Sequence, residues 1–317
     1  MSHPNVHGRR AATYIFKALS AILLPAFDGS AGSLGVGPAM VAGVTDQGQA
    51  QNHELFKQVD ELVGLLSTDD FDFDQIDALT SVIQGSGDVS LQPVLEGHLA
   101  AFLDAANWFA RDEVARLLYE LFSLEALPAL LKAMARDLHD DQDNLSTWVV
   151  ELFHADRTAA RLAVLDCVAA ADPELRRIGI WGLDFVGEEA DLAVILAATA
   201  DEDPKMRSTA IGALSLTAEA DPRVADALRA GACDADPGVR ISAISKLGWQ
   251  RREALIPLIV ACVDDPEPGV REFVAHALGR IGSRAEASRS VLERLRTDGN
   301  PRVRDAAGRA ITVVGPA

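Results

Sequence analysis

The stretch Asp234–Ala235–Asp236–Pro237–Gly238–Val239–Arg240, answered by Pro268–Gly269–Val270–Arg271 and then Ala277–Leu278–Gly279, decides the fold. Its skeleton occurs five times without a gap. The copies run from Asp172–Pro173 to Leu183, Asp203–Pro204 to Leu214, Asp236–Pro237 to Leu247, Glu267–Pro268 to Leu278 and Asn300–Pro301 to Ile311. Their prolines stand 31, 33, 31 and 33 residues apart, and an arginine follows each by three: Arg176, Arg207, Arg240, Arg271 and Arg304. A fixed period of this length is the mark of stacked structural repeats.

Each copy reads as one helix. Proline is tolerated at the first helical position, where its missing N–H has no intrahelical acceptor, and Asp or Asn before it caps the free amides. Glu267 is the exception among the five capping residues. Apolar residues recur two, seven and ten positions past the proline, as in Val239, Ile244 and Leu247, which makes one apolar stripe. Small residues fill the sixth position in most copies (Gly179, Ala210, Ala243, Ala307), where two backbones are expected to approach closely. Between these helices the pattern predicts partners over 188–199, 223–232, 252–263 and 285–296. One pair cannot bury its stripe alone, so the pairs must stack.

The pattern D-x-D-P-x-V-R-x-x-A-x-x-A-L-G resembles the HEAT family, in particular the short HEAT-like repeats of the phycobilin-lyase type. The resemblance covers about residues 157–317. It implies an all-α, right-handed α-solenoid of antiparallel helix pairs, with the repeated arginine bonded to acidic loop residues of adjacent repeats. It also implies that the second helix of each pair lines a concave face. Four and eight positions past each proline, off the apolar stripe, that geometry marks Arg177, Trp181, Ile241, Glu272, His276 and Arg309 as a partner-binding row, with Trp181 and Ile241 as exposed anchors.

Upstream the signal weakens. Helices are expected near 52–66, 75–84, 112–122, 124–139 and 144–153, a degenerate continuation over residues 51–156. Residues 1–50 fall outside it, with a Gly-rich, irregular stretch at 29–37. The apolar run from Ala18 is broken by Pro25 and Asp28 and is short of a membrane span. A membrane contact through Ala18–Val44 is therefore a minor reading beside a cytoplasmic protein.

Charge is uneven. The chain carries 29 Lys+Arg and 47 Asp+Glu, of which residues 51–150 hold 5 and 19. Such a field repels phosphate backbones and attracts basic partners. With 5% aromatic residues and 49% hydrophobic ones, the core is aliphatic and helical rather than a β-sandwich. Cys167, Cys233 and Cys262 are too few and too scattered for a zinc site or a disulfide framework, so core packing in a reduced protein is expected.

The chemistry-bearing candidates are sparse. Asp69, Asp70, Asp72, Asp74 and Asp77 form the densest acidic cluster. Asp70-x-Asp72-x-Asp74 opens like a calcium loop, but Gln75 stands where glycine must turn and Ser81 where a bidentate glutamate belongs. Helix capping, or docking of a basic partner, explains these acids better. His3 and His7 flank Pro4 in a tail, and His53–Glu54 is the one His-Glu pair, against several in the iron hydroxylases built from HEAT-like repeats. No phosphate loop or nucleophile elbow occurs. Trp108 with Asp112 and Trp181 with Asp184 are aromatic–carboxylate pairs of the sort used by HEAT-like DNA glycosylases, but the acidity of 51–150 opposes a DNA groove. The sequence thus points to a non-enzymatic scaffold for a protein partner, expected to be basic, without cofactor or metal. An acidic inhibitor of immunity type is a sharper form of that reading. The alternative is an enzyme or enzyme subunit on this fold, handling a bilin chromophore or excising DNA bases.

Overall fold

The computed structural model describes residues 46–68, 72–138, 142–214, 221–250, 253–282 and 286–314. His3, His7, the 29–37 segment, Ala18–Val44, Asp69 and Asp70 lie outside them. The chain forms two compact units that meet in sequence at Asp156 and Arg157. Among the described residues every regular element is helical, and the fold is an all-α solenoid. No helix there is long and apolar enough to cross a membrane.

The C-terminal unit contains α7 (Arg157–Val168), α8 (Pro173–Val186), α9 (Leu192–Ala198), α10 (Pro204–Ala213), α11 (Pro222–Ala232), α12 (Pro237–Trp249), α13 (Ile256–Val260), α14 (Pro268–Ile281), α15 (Glu286–Leu295) and α16 (Pro301–Val314). The proline-led helices α8, α10, α12, α14 and α16 pack each on the next as one layer, and α9, α11, α13 and α15 form the facing layer. The expected partner helices at 188–199 and 252–263 open as short 3-10 turns, Glu189–Asp191 and Glu253–Leu255, before becoming α-helical. The α-helical part that follows is shorter than the apolar pattern suggested.

Capping follows the sequence. Asp172, Asp203, Asp236 and Asn300 each accept a backbone N–H of the first turn, whereas Glu267 makes no such bond. Its carboxylate sits one methylene too far out to fold back onto the first turn.

The recurring arginine closes the gap between repeats. Arg240 donates from Nη1 to the Asp234 and Ala235 carbonyls at 2.9 and 3.0 Å, and from Nε and Nη2 to Asp265 at 2.7 and 2.8 Å. Arg207 repeats this on Asp234, and Arg271 on Asp298. The accepting aspartates also take the amide two residues on, so each rung ties a guanidinium, a carboxylate and a turn together. Arg176 and Arg304 keep the carbonyl bonds. Charge-assisted, forked pairs of this kind are stronger than single neutral bonds. Arg240→Ala is expected to cost about 2 kcal/mol in chemical denaturation, with lysine failing to restore it because an ammonium cannot span both oxygens.

The rungs carry an acid signature. The bond from Arg207 holds the Asp234 carboxyl below its ordinary value, and Arg271 does the same for Asp298. A carboxylate depressed in the folded state contributes stability that is present above its unfolded value and lost as pH falls through the folded one. Unfolding free energy is therefore expected to drop below about pH 4. Asp234→Asn should flatten that part of the profile while lowering stability at neutral pH.

The N-terminal unit holds α1 (Asp46–Leu66), α2 (Phe73–Ser86), α3 (Gln92–Asp104), α4 (Trp108–Phe122), α5 (Leu127–Met134) and α6 (Asp143–Ala155). Here α2, α4 and α6 pack in succession, and α3 packs on α4 and α5. The α2 helix ends at Gly87, whose φ of 60° is the left-handed region that glycine adopts without strain. Leu62, Ile76, Ile83, Leu95, Leu118 and Leu131 lie in its aliphatic core.

Candidate functional site

The N-terminal unit gathers acid and aromatic side chains on the layer of α2, α4 and α6. Residues three and four apart share a helix face, which brings Asp77 and Gln84 to one side of α2, Glu113, Arg116 and Glu120 to one side of α4, and Trp148 and Glu151 to one side of α6. Arg116 pairs with Glu113 at 2.5 Å and Glu120 at 3.7 Å. Gln84 donates to Glu120. Tyr119 stacks on Trp148, centroids 5.9 Å apart and planes 17° apart, and its hydroxyl donates to Glu151 at 2.6 Å.

Electrostatics follow from this placing. Burial works against the Arg116 charge, but its bond to Glu113 and the fields of Glu113, Glu120 and Asp77 outweigh it and raise the guanidinium above its ordinary value. The bond to Glu151, then burial and the charges of Glu151 and Glu120, push the Tyr119 phenol up to about 12. Three carboxylates thus surround Arg116, and a fourth, Glu151, is bound to the neighbouring stacked aromatic pair. Glu120 and Glu151 are exposed, while Tyr119 and Trp148 are half-buried.

Of the acidic cluster read from sequence, Asp72 caps α2 by accepting the Gln75 amide at 3.1 Å, and Asp74 lies in its first turn. Asp77 alone among the described members joins the α2–α4–α6 face. No group of three or more His, Cys, Asp or Glu side chains able to hold a metal occurs among the described residues. Trp108 is 53% exposed and Phe73 60%, each edge-on to Phe109. Asp112 is bound by the fully buried Arg111 at 2.6 Å rather than held toward Trp108.

In the C-terminal unit the predicted row lies along the proline-led helices. Arg177 is tied to Glu174 at 2.8 Å, and Glu272 to His276 at 3.7 Å. The His276 contact, with Arg302 and Arg309 nearby and against the cost of burial, holds the Glu272 carboxyl below its ordinary value. Arg309 is exposed. Trp181 and Ile241 were expected as exposed anchors; both are half-buried, Trp181 against Phe185 at 4.9 Å. Phe185, one turn on along α8, covers part of the Trp181 ring.

Sequence reading missed the neighbours of this row. Lys246, 8% exposed, donates to the Gly212 carbonyl at 2.7 Å and reaches Asp184 at 3.4 Å, so one side chain links three successive helices. Asp184 is thereby engaged by a lysine, not by Trp181. Arg280 stacks over Trp249, 3.8 Å from the ring centroid. Trp249 and Arg280 both stand twelve past their prolines, so the register itself would have paired them.

With this geometry in place, comparison with known families matches a model described as HEAT repeats over residues 225–312. Residues 225–312 are HEAT repeats. No curated protein matches the chain. Among solved structures, human deoxyhypusine hydroxylase in complex with glycerol is 18% identical over 84% of this chain and 99% of its own, with a TM-score of 0.35. YibA of E. coli is 16% identical over 86% and 99%, TM-score 0.44. A Kap121p mutant is 14% identical over 83% of this chain and 37% of its own, TM-score 0.49. The matched HEAT repeats include the Arg240–Asp265 and Arg271–Asp298 rungs.

Proposed function

We propose that the chain is a protein-binding repeat scaffold and that the α2–α4–α6 face holds a basic segment of its partner. The observation that carries this is the set of carboxylates on one face: Asp77, Glu113 and Glu120 around a single arginine, and Glu151 on the adjoining Tyr119–Trp148 stack. Carboxylates receive guanidinium or ammonium groups, and the outer face of a half-buried aromatic pair gives the same cations a second, less salt-sensitive contact. The excess of acid over residues 51–150 steers such a partner toward the face and speeds encounter. In the C-terminal unit, the row of Arg177, Trp181, Ile241, Glu272, His276 and Arg309 supplies a further contact surface of mixed charge. A sharper form of the reading is an acidic inhibitor of immunity type that covers the basic surface of a toxin or nuclease.

The test is calorimetric titration of the full chain with an arginine-rich peptide over a salt series. Binding that weakens steadily with salt is the expected outcome. Absence of binding at low salt, or affinity indifferent to salt, would sink the proposal.

A further inference from the structure

Two cysteines converge between neighbouring repeats of the C-terminal unit. Cys233 directly follows α11 and is exposed, whereas Cys262 lies just after α13 and is buried. The two helices pack on each other. The Cys262 thiol donates toward the Ala232 carbonyl oxygen at 3.6 Å, with the Leu258 carbonyl at 3.7 Å as its alternative acceptor. That Ala232 oxygen belongs to the peptide leading into Cys233. Backbone dimensions then place the Cys262 sulfur within about 6.5 Å of the Cys233 Cα. In a disulfide each sulfur lies about 4 Å from its partner's Cα, so closure needs the turn at Cys233 to shift toward Cys262 by up to about 2–3 Å. Cys233 is exposed at a helix end, where such an adjustment meets little packing.

We propose that Cys233 and Cys262 form a reversible disulfide, made by exchange with a low-molecular-weight disulfide, which staples two consecutive repeats. The Cys233 thiolate attacks one sulfur of the small disulfide and expels the other as a thiolate, leaving a mixed disulfide. The Cys262 thiolate then attacks the Cys233 sulfur and expels the second small thiolate. The two protons given up by the cysteines end on the two released thiols, and the two cysteine sulfurs are oxidised as the reagent's two are reduced. Burial, then the neighbouring Cys233 and Asp265, push the Cys262 thiol up to about 11 against the opposing pull of Arg240. The second step is therefore the slow one, and it accelerates about tenfold per pH unit while Cys262 remains mostly protonated. The inference is independent of the partner-binding reading.

The experiment is incubation of the full chain with oxidised glutathione at several pH values. Free-thiol counting and non-reducing peptide mapping follow. The expected result is loss of two of the three thiols, a linked Cys233–Cys262 peptide, closure that quickens as pH rises, and a higher melting temperature that dithiothreitol reverses. Cys233→Ser, a surface change that should leave the melting temperature of the reduced protein unaltered, is expected to keep Cys262 reduced throughout. A glutathione adduct that stays on Cys233 at high pH while Cys262 remains free would overturn the proposal. So would a linked peptide joining either residue to Cys167.

Discussion

The double variant Glu120→Lys/Glu151→Lys is expected to bind an arginine-rich peptide about a hundredfold more weakly than the natural chain at low salt. The magnitude follows from what each carboxylate does. Both are exposed, so a single ion pair there is worth no more than about 1 kcal/mol. Reversal replaces two attractions by two repulsions, and a total near 3 kcal/mol corresponds to about two decades in affinity. Two further observations separate this from a loss of net charge. Glu189→Lys/Asp226→Lys, reversals at exposed positions of the other unit, should leave most of the affinity intact, and Glu151→Gln should weaken binding only a few-fold because its amide oxygen still accepts from Tyr119. If the distant reversals cost as much as Glu120→Lys/Glu151→Lys, the face is no site and the acidity is general.

What made the fold legible was a marker with a physical job at every copy. Asp or Asn caps in four copies, proline begins the helix in all five, and arginine bonds the carbonyls of the turn before it, so the register of five helices could be set by counting from the proline. That register located the small sixth position, and the resemblance to HEAT repeats implied the arginine–aspartate rungs, which form at Arg207, Arg240 and Arg271. It stopped short at Lys246, Trp249 and Arg280, which lie nine and twelve past their prolines, because the reading was confined to the fourth and eighth. The α2–α4–α6 face was illegible for a different reason. Those helices carry no Asp-Pro, only α4 keeps an arginine three past its first residue (Arg111), and α3 was not anticipated at all. Nothing in sequence therefore aligned Gln84 with Glu120, or Tyr119 with Trp148 and Glu151, which depend on how three helices of unequal spacing pack. The Asp69–Asp77 cluster drew attention through density alone. Its described members mostly cap and flank a helix start, a local role that density cannot distinguish from recognition.

The second large effect concerns packing within the first regular repeat. Gly179→Ala is expected to destabilise the C-terminal unit by about 3 kcal/mol, or roughly 10 °C in melting temperature. Gly179 lies on α8 where α7 crosses it. A Cβ added there would stand 2.5 Å from the Val168 backbone nitrogen, 2.8 Å from a Val168 methyl and 2.9 Å from the Cys167 carbonyl carbon. Two of the three are main chain, so no rotamer change relieves the overlap and α7 must shift outward, loosening Val164 and Ile180 in the buried seam. Against this stands the gain in helix propensity of alanine over glycine, about 1 kcal/mol. Gly308→Ala isolates that term. It lies within α16 and an added Cβ meets nothing within 4 Å, so the same substitution should stabilise there. Opposite signs from one chemical change, read by denaturant unfolding of both variants, follow only if backbones truly meet at the sixth position. Equal and small effects would mean that α7 and α8 pack more loosely than 2.5 Å implies, and that close approach does not demand glycine at that position.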